Sequence, residues 1–265
     1  MHPNLYLKTF WGTAFRPEVF VAMSFSEQYE ERFVEVVEPA IESIKVGKHH
    51  LRANRLDASK TGDSVLTDMI DGIAHAELVF ADVSTLGHDA KTGLPFRNSD
   101  VMYEVGLALA CRQPSEILLV RDDHDDFLFD VSTIPHQSVD FAEPEKARTD
   151  ITEALTARLR ERKLLNDARI RTAVAQLTGE ERDVLGIFSL YTEEQVFWLN
   201  STTLETASAV PRLLDKGFIV AVGISADDRP MFRWTRLGLE TARHLDSLVP
   251  RIAIQVNNSA DKAKE

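Results

Sequence analysis

Short apolar runs alternate with stretches of helical period through the first 165 residues, and this alternation confines the chain to a parallel α/β sheet. Val19-Phe20-Val21-Ala22-Met23 is one such run, apolar throughout as a strand buried on both faces must be. Residues 27–45 then carry Tyr29, Phe33, Val36, Val37, Ala40, Ile41 and Ile44 at a helical spacing. A second strand is predicted from His50 to Asp57, a helix over 63–75, and a third strand at Leu78-Val79-Phe80-Ala81, ending at Asp82. A polar loop from Ser84 to Arg97 leads to a helix over 99–112 and a fourth strand at Ile117-Leu118-Leu119-Val120. Ser138 to Phe141 is the expected fifth strand, and residues 145–163 the closing helix, with Ile151, Leu155 and Leu159 inward. Parallel strands joined by right-handed crossovers fit the flavodoxin-like order 2-1-3-4-5, whose ligand crevice opens at the carboxyl ends of strands 1 and 3. Ahead of this domain, residues 1–18 form an aromatic lead-in with Tyr6, Phe10, Trp11 and Phe15, expected to pack as an arm.

After Asn166 the pattern changes. Thr178-Gly179-Glu180-Glu181 is a capping box, and Thr192 to Gln195 and Thr202 to Glu205 repeat its form. Three short helices are expected from them, the last ending at Gly217. Phe218 to Val222 and Met231 to Trp234 flank the turn Ser225–Pro230 as a hairpin, and a final helix starts at Thr235-Arg236-Leu237-Gly238. The predicted organisation is an arm (1–18), an α/β domain (19–165), a small α+β domain (166–252) and a polar tail (253–265).

Composition removes several classes. A single cysteine, Cys111, excludes a disulfide scaffold. No apolar run approaches the roughly 18–20 residues of a membrane span, and no secretory signal opens the chain. The expectation is a cytoplasmic protein without membrane contact. A net charge of -12 argues against a general attraction to nucleic acid. The eight histidines show no ligand spacing, so no metal is expected. Asp122 to Asp126, with His124 among them, lacks the glycine and spacing of a calcium loop and reads as solvated.

Candidate site residues are those at the strand ends: Met23, Ser24 and Phe25 after strand 1, Asp57 after strand 2, and Asp82 and Ser84 after strand 3. Asn98 and Asp100 open the third helix, with Tyr103 and Glu104 in its second turn. A carboxylate near a helix N-terminus is favoured in its ionised form. Glu104 therefore suits a nucleophile or a stabiliser of an oxocarbenium ion better than a general acid.

The stretches VFVAMSFSEQYEERF, ADVS and RNSDVMYEVGLALA together resemble TIR-like and nucleoside 2-deoxyribosyltransferase-like domains over about residues 18–141. The resemblance implies that Glu104 attacks or stabilises the anomeric carbon of a nucleoside or of the nicotinamide ribose. It implies that Ser24 and Phe25 contact base or ribose, and that Asp82 and Ser84 sit beside the ribose. Deoxyribosyltransferases carry a carboxylate where this chain has Asn98, which cannot titrate. That departure favours cleavage of NAD, as substrate rather than cofactor, over nucleoside exchange, because nicotinamide leaves as a neutral group. In the second half, LLDKGFIV and RWTRLGLETA resemble winged helix-turn-helix domains. Residues 166–265 hold 12 Lys and Arg against 14 Asp and Glu, and the expected recognition helix has no base before Arg212. Docking to a protein partner or to a second copy is thus preferred over DNA, although Arg229, Arg233 and Arg236 surround the wing. The expected function is a TIR-like N-glycosidase acting on NAD, as in anti-phage effectors. A nucleotide-sensing adaptor, a deoxyribosyltransferase and a DNA-binding regulator are the alternatives.

Overall fold

The computed structural model describes residues 15–56, 63–125, 134–189, 191, 195–198 and 204–248. The chain falls into two compact units, Met1–Asp167 and Ala168–Glu265. In the first, β1 (Arg16–Ala22) is followed by α1 (Glu27–Arg32), a π-helical segment (Phe33–Val37) and α2 (Glu38–Glu42). Two short strands, β2 (Lys45–Val46) and β3 (His49–His50), precede β4 (Arg52–Arg55), α3 (Asp63–His75) and β5 (Ala76–Asp82). The hairpin β6 (Thr85–His88) and β7 (Pro95–Arg97) leads to α4 (Ser99–Cys111), β8 (Ile117–Arg121), β9 (His136–Ser138) and α5 (Pro144–Ala175). The central sheet is five-stranded and wholly parallel, in the order β4-β1-β5-β8-β9. That is the 2-1-3-4-5 order expected from the alternation.

Strand alternation divides the core into two layers. Val19, Val21, Leu78, Phe80, Leu118 and Val120 pack with the α1–α2 and α5 side chains. Phe20, Ala22, Val79, Ala81, Ile117 and Leu119 pack with Met69 and Ile73 of α3 and Val101, Val105 and Ala108 of α4. Every central residue of β1, β5 and β8 is buried, which is why their sequences read as unbroken apolar runs.

Several boundaries differ from the sequence reading. The helix expected over 27–45 carries a π turn because Pro39 has no N–H to give Glu35. The Glu38 N–H reaches back to the Phe33 carbonyl, while the freed Glu35 carbonyl accepts from Arg148 Nε at 2.6 Å. The second strand, expected from His50 to Asp57, is cut into β3 and β4. The fifth strand is His136–Ser138 rather than 138–141. Its ladder extends only to the bond from Val139 N–H to the Arg121 carbonyl, because β8 ends there; Val139 and Phe141 are nevertheless buried. The loop from Ser84 to Arg97 contains the β6–β7 hairpin. The closing helix continues to Ala175 because no glycine or proline interrupts residues 145–175. Of the expected arm, residues 1–14 lie outside the described residues, whereas Arg16, Pro17 and Glu18 are not arm but the start of β1, where Glu18 is in register with Arg52 of β4.

The second unit holds α6 (Gly179–Phe188), α7 (Leu204–Asp215), the antiparallel pair β10 (Ile219–Ile224) and β11 (Pro230–Trp234), and α8 (Arg236–Leu248). Phe188, Phe197, Phe218, Phe232 and Trp234 form its centre. A short helix after Thr192 is not observed over 195–198. Phe197 instead pairs with Phe232 by two backbone bonds of 2.8 and 2.9 Å, as a large aromatic at the core does when extended. Thr192 and Thr202, the caps of the second and third boxes, lie outside the described residues.

The first capping box forms as written: Thr178 Oγ1 accepts from the Glu181 N–H, and Glu181 accepts from the Thr178 N–H at 2.8 Å. Glu181 has no exposed surface, and its carboxylate also takes Lys216 Nζ at 2.7 Å and Arg212 Nε at 3.2 Å. Desolvation raises its pKa, but the bonds from Lys216 and Thr178 outweigh it and hold the carboxyl below its ordinary value. Its stabilisation is complete above the ordinary carboxylate range and fades as pH falls through that range. Glu181→Gln is expected to cost about 2 kcal/mol at pH 7, less than a fully buried pair because both cations are partly exposed, and to cost less at pH 3. Denaturant unfolding at the two pH values measures the difference.

Candidate functional site

Three strand ends and one helix meet at the carboxyl edge of the sheet. The helices after β1 and after β5 lie on opposite faces, so the switch point of the sheet, where folds of this order form a ligand crevice, falls between those two strands. One wall is the loop after β1. Met23 is buried in the core below it. Ser24 is also buried, and its Oγ accepts from the Ser26 N–H at 3.3 Å. Phe25 stands half exposed.

The other wall is α4. Its N-cap is Asn98, whose Oδ1 accepts from the N–H groups of Asp100 at 2.9 Å and Val101 at 3.2 Å. The side chain of Asn98 is therefore committed to the helix. Val101, Val105 and Ala108 form the buried stripe, and Glu104 flanks it on the side of Asp100. Tyr103 lies on the outward side of the helix, nearly opposite that stripe, and is 53% exposed.

Glu104 is largely desolvated. Burial, with a smaller contribution from Asp100 one turn earlier, pushes its carboxyl up to about 7, while Arg55 acts in the opposite sense. This corrects the sequence argument that a helix N-terminus keeps the group ionised. The dipole effect is confined to the first turn, and Glu104 lies in the second, where desolvation dominates.

Asp82 and Ser84 do not join Glu104. Asp82 follows Leu78 and Phe80 on the sheet face opposite α4, where its Oδ2 meets Arg32 Nη1 at 3.4 Å. Its Oδ1 accepts from the backbone N–H of Ser84 at 3.0 Å and from the Ser84 hydroxyl. Ser84 Oγ in turn accepts from the Asp122 N–H at 3.1 Å. Both residues are buried in a strand-end network. Burial raises the pKa of Asp82, opposed by the Ser84 bond and Arg32. Asp57 lies outside the described residues.

The acidic stretch after β8 is also engaged. Asp123 accepts from the Thr85 N–H at 2.7 Å and from both Nη atoms of Arg97 at 3.2 Å. Arg97 also donates to the Val83 carbonyl, and His88 Nε2 lies 3.2 Å from Asp125. Among the described residues, no group of three or more His, Cys, Asp and Glu is arranged to hold a metal ion. No described helix is long and apolar enough to cross a membrane.

One neighbour of the site was not singled out from the sequence. Arg55, at the end of β4, is the cation that acts on Glu104. The signal was present in the sequence: a basic residue at the last position of the strand beside β1, two residues before the acidic Asp57. Comparison with known proteins finds no family model and no curated protein that matches the chain.

Proposed function

We propose that the first unit is a TIR-like domain that cleaves the nicotinamide–ribose bond of NAD, with Glu104 as the catalytic carboxylate. The observation that carries this reading is a desolvated glutamate at the carboxyl edge of a parallel sheet, beside the switch point and near one buried cation. In the proposed step the bond between C1′ and the pyridinium nitrogen breaks, and its electron pair neutralises that nitrogen. Nicotinamide then leaves without needing a proton. The ribose carries the positive charge, which the ionised Glu104 stabilises or traps. Water adds at C1′ and releases a proton, giving the ribosyl product. Phe25, half exposed on the loop after β1, offers a face for a flat ring.

This role needs the ionised carboxylate. With the carboxyl titrating at about 7, kcat/KM for nicotinamide release should rise about tenfold per pH unit below 7 and level off above it. A profile that instead falls above 7 would assign the protonated form, and with it a general acid. The second reading, transfer of a deoxyribosyl group between bases, is favoured by a second carboxyl, Asp100, one turn before a Glu104 that is itself about half protonated near neutrality. Mass spectrometry after incubation with NAD, and separately with pairs of deoxynucleosides, separates the two readings.

The second unit is proposed to be winged-helix-like and to dock a second copy or a protein partner. Its LLDKGFIV and RWTRLGLETA elements build a helix end, a hairpin and a helix start around one aromatic core. The proposed setting is a cytoplasmic immune effector.

A further inference from the structure

Arg55 is held more tightly than a strand-end arginine requires. Its side chain keeps 6% of its surface exposed. The guanidinium lies between two rings, 4.1 Å from the centre of Phe25 and 4.8 Å from that of Phe33. Nη1 donates to Glu30 Oε2 at 2.6 Å and Nη2 to the Ser24 carbonyl at 2.6 Å. Its Nε–H is buried without a partner. An unpaired buried donor is a net cost to stability, so packing alone does not account for an arginine here.

Arg55 also bridges separate pieces of chain. Ser24 and Phe25 belong to the loop after β1, Glu30 to α1 and Phe33 to the π-helical segment. Glu104 comes from α4, on the other face of the sheet. No ion pair joins Arg55 to Glu104; the guanidinium acts on the carboxylate through space. Among the described residues, the remaining charges of the packed elements are accounted for; Asp57, two residues beyond Arg55, lies outside them. Asp100 is on α4 itself, Asp82 is turned to Arg32, and Asp71 of α3 is paired with Arg16 and His75. Asp68, the other described carboxylate of α3, has a polar partner of its own.

We propose that Arg55 is a positioning residue of this site: clamped between Phe25 and Phe33, it ties the loop after β1 to α1 and presents a fixed positive charge to Glu104 without bonding it. Asp100 presents the opposing negative charge from the same helix. Glu104 is thereby set between a cation and an anion on two different elements, which shift in opposite senses a proton affinity that burial has already raised. The inference rests on Glu104 being the working carboxylate, but its test does not need turnover.

The experiment is a carbon-13 NMR titration of the Glu104 side-chain carboxyl in the full chain, assigned by its loss in Glu104→Gln. Arg55→Met keeps the bulk between the rings and removes the charge. It should move the midpoint up from about 7 by about one pH unit. Asp100→Asn should move it down. Arg55→Lys, which keeps the charge and loses the two-point clamp, should leave the midpoint near the wild type. Opposite shifts from Arg55→Met and Asp100→Asn support the proposal. An unmoved midpoint in Arg55→Met, or shifts of the same sign, overturns it. If Arg55→Met does not fold, a Lys midpoint equal to wild type together with the Asn shift still supports the charge, and a Lys midpoint that moves as far as the Asn one overturns it. A chain showing these shifts but no nicotinamide release would retain the electrostatic role and lose the enzymatic reading.

Discussion

Glu104→Gln should abolish nicotinamide release and, at the same time, make the fold more stable at alkaline pH. The amide cannot balance charge developing at C1′, so a loss of roughly a thousandfold in turnover is expected. The stability change follows from the raised carboxyl. The unfolded chain gives up this proton near the ordinary value of 4.5, whereas the folded chain keeps it to about 7. Folded protein thus holds the extra proton between those values, and stability falls as pH rises through that window. Above it, the whole cost of a desolvated charge is present, about 3 kcal/mol. A neutral glutamine does not carry that cost. Wild type and variant should therefore unfold alike near pH 4, with the variant gaining through pH 8. Nicotinamide assays and denaturant unfolding across this range test both halves. Wild-type turnover in the variant would remove Glu104 from the chemistry, and a variant less stable than wild type at pH 8 would contradict the burial that raises its pKa.

Gly238→Ala is expected to be the most damaging single methyl in the second unit. A Cβ at Gly238 would lie 1.8 Å from the Phe218 carbonyl oxygen and 2.6 Å from its carbon, both backbone atoms. The helix cannot easily withdraw. Thr235 Oγ1 donates toward the Gly217 carbonyl at 2.6 Å, and its backbone N–H donates to the Phe218 carbonyl at 3.1 Å. On the other side, Gly217 adopts φ +71 at the end of α7. There the Phe218 N–H reaches the Leu213 carbonyl and the Gly217 N–H the Leu214 carbonyl, a Schellman closure. The clash is between two anchored backbones, so about 3 kcal/mol or more is expected. Gly186 is the control: a Cβ there meets nothing, and alanine within α6 should be neutral or mildly stabilising. Unfolding followed by the fluorescence of Trp234 compares the two; equal stability of Gly238→Ala and wild type would refute the close approach.

These two cases also show which features a sequence exposes. The K-G-F and T-x-x-G elements were visible because positive φ and backbone contact admit few residue types, and both serve the junction of α7, Phe218 and α8. The parallel sheet was legible because β1, β5 and β8 are covered on both faces and so contain nothing polar until their ends. The fifth strand was misplaced because side-chain burial at Val139 and Phe141 follows the strand period after backbone pairing has ended. The β6–β7 hairpin was hidden by Gly87, Gly93 and Pro95, which read as loop. Glu104 could be singled out by its place on α4, but its protonation could not, because that depends on burial in the folded chain and on Arg55, a neighbour from β4 far away in sequence. The same applies to Asp82, whose position at a strand end was clear while its direction depended on the alternation through Phe80.

Asp123 fastens one margin of the sheet's carboxyl edge. One carboxylate gathers the Thr85 amide and the Arg97 guanidinium, and Arg97 reaches on to the Val83 carbonyl. Burial works against the ionised form, yet the bonds from Arg97 and Thr85 hold the Asp123 carboxyl below its usual range, so the knot stays charged. The margin that follows β5 is thereby riveted to the margin that follows β8, and neither can shift without the other. The opposite bank has a fastening of its own, for Arg55 holds the Ser24 carbonyl and the Phe25 ring, so the two margins are secured independently of each other.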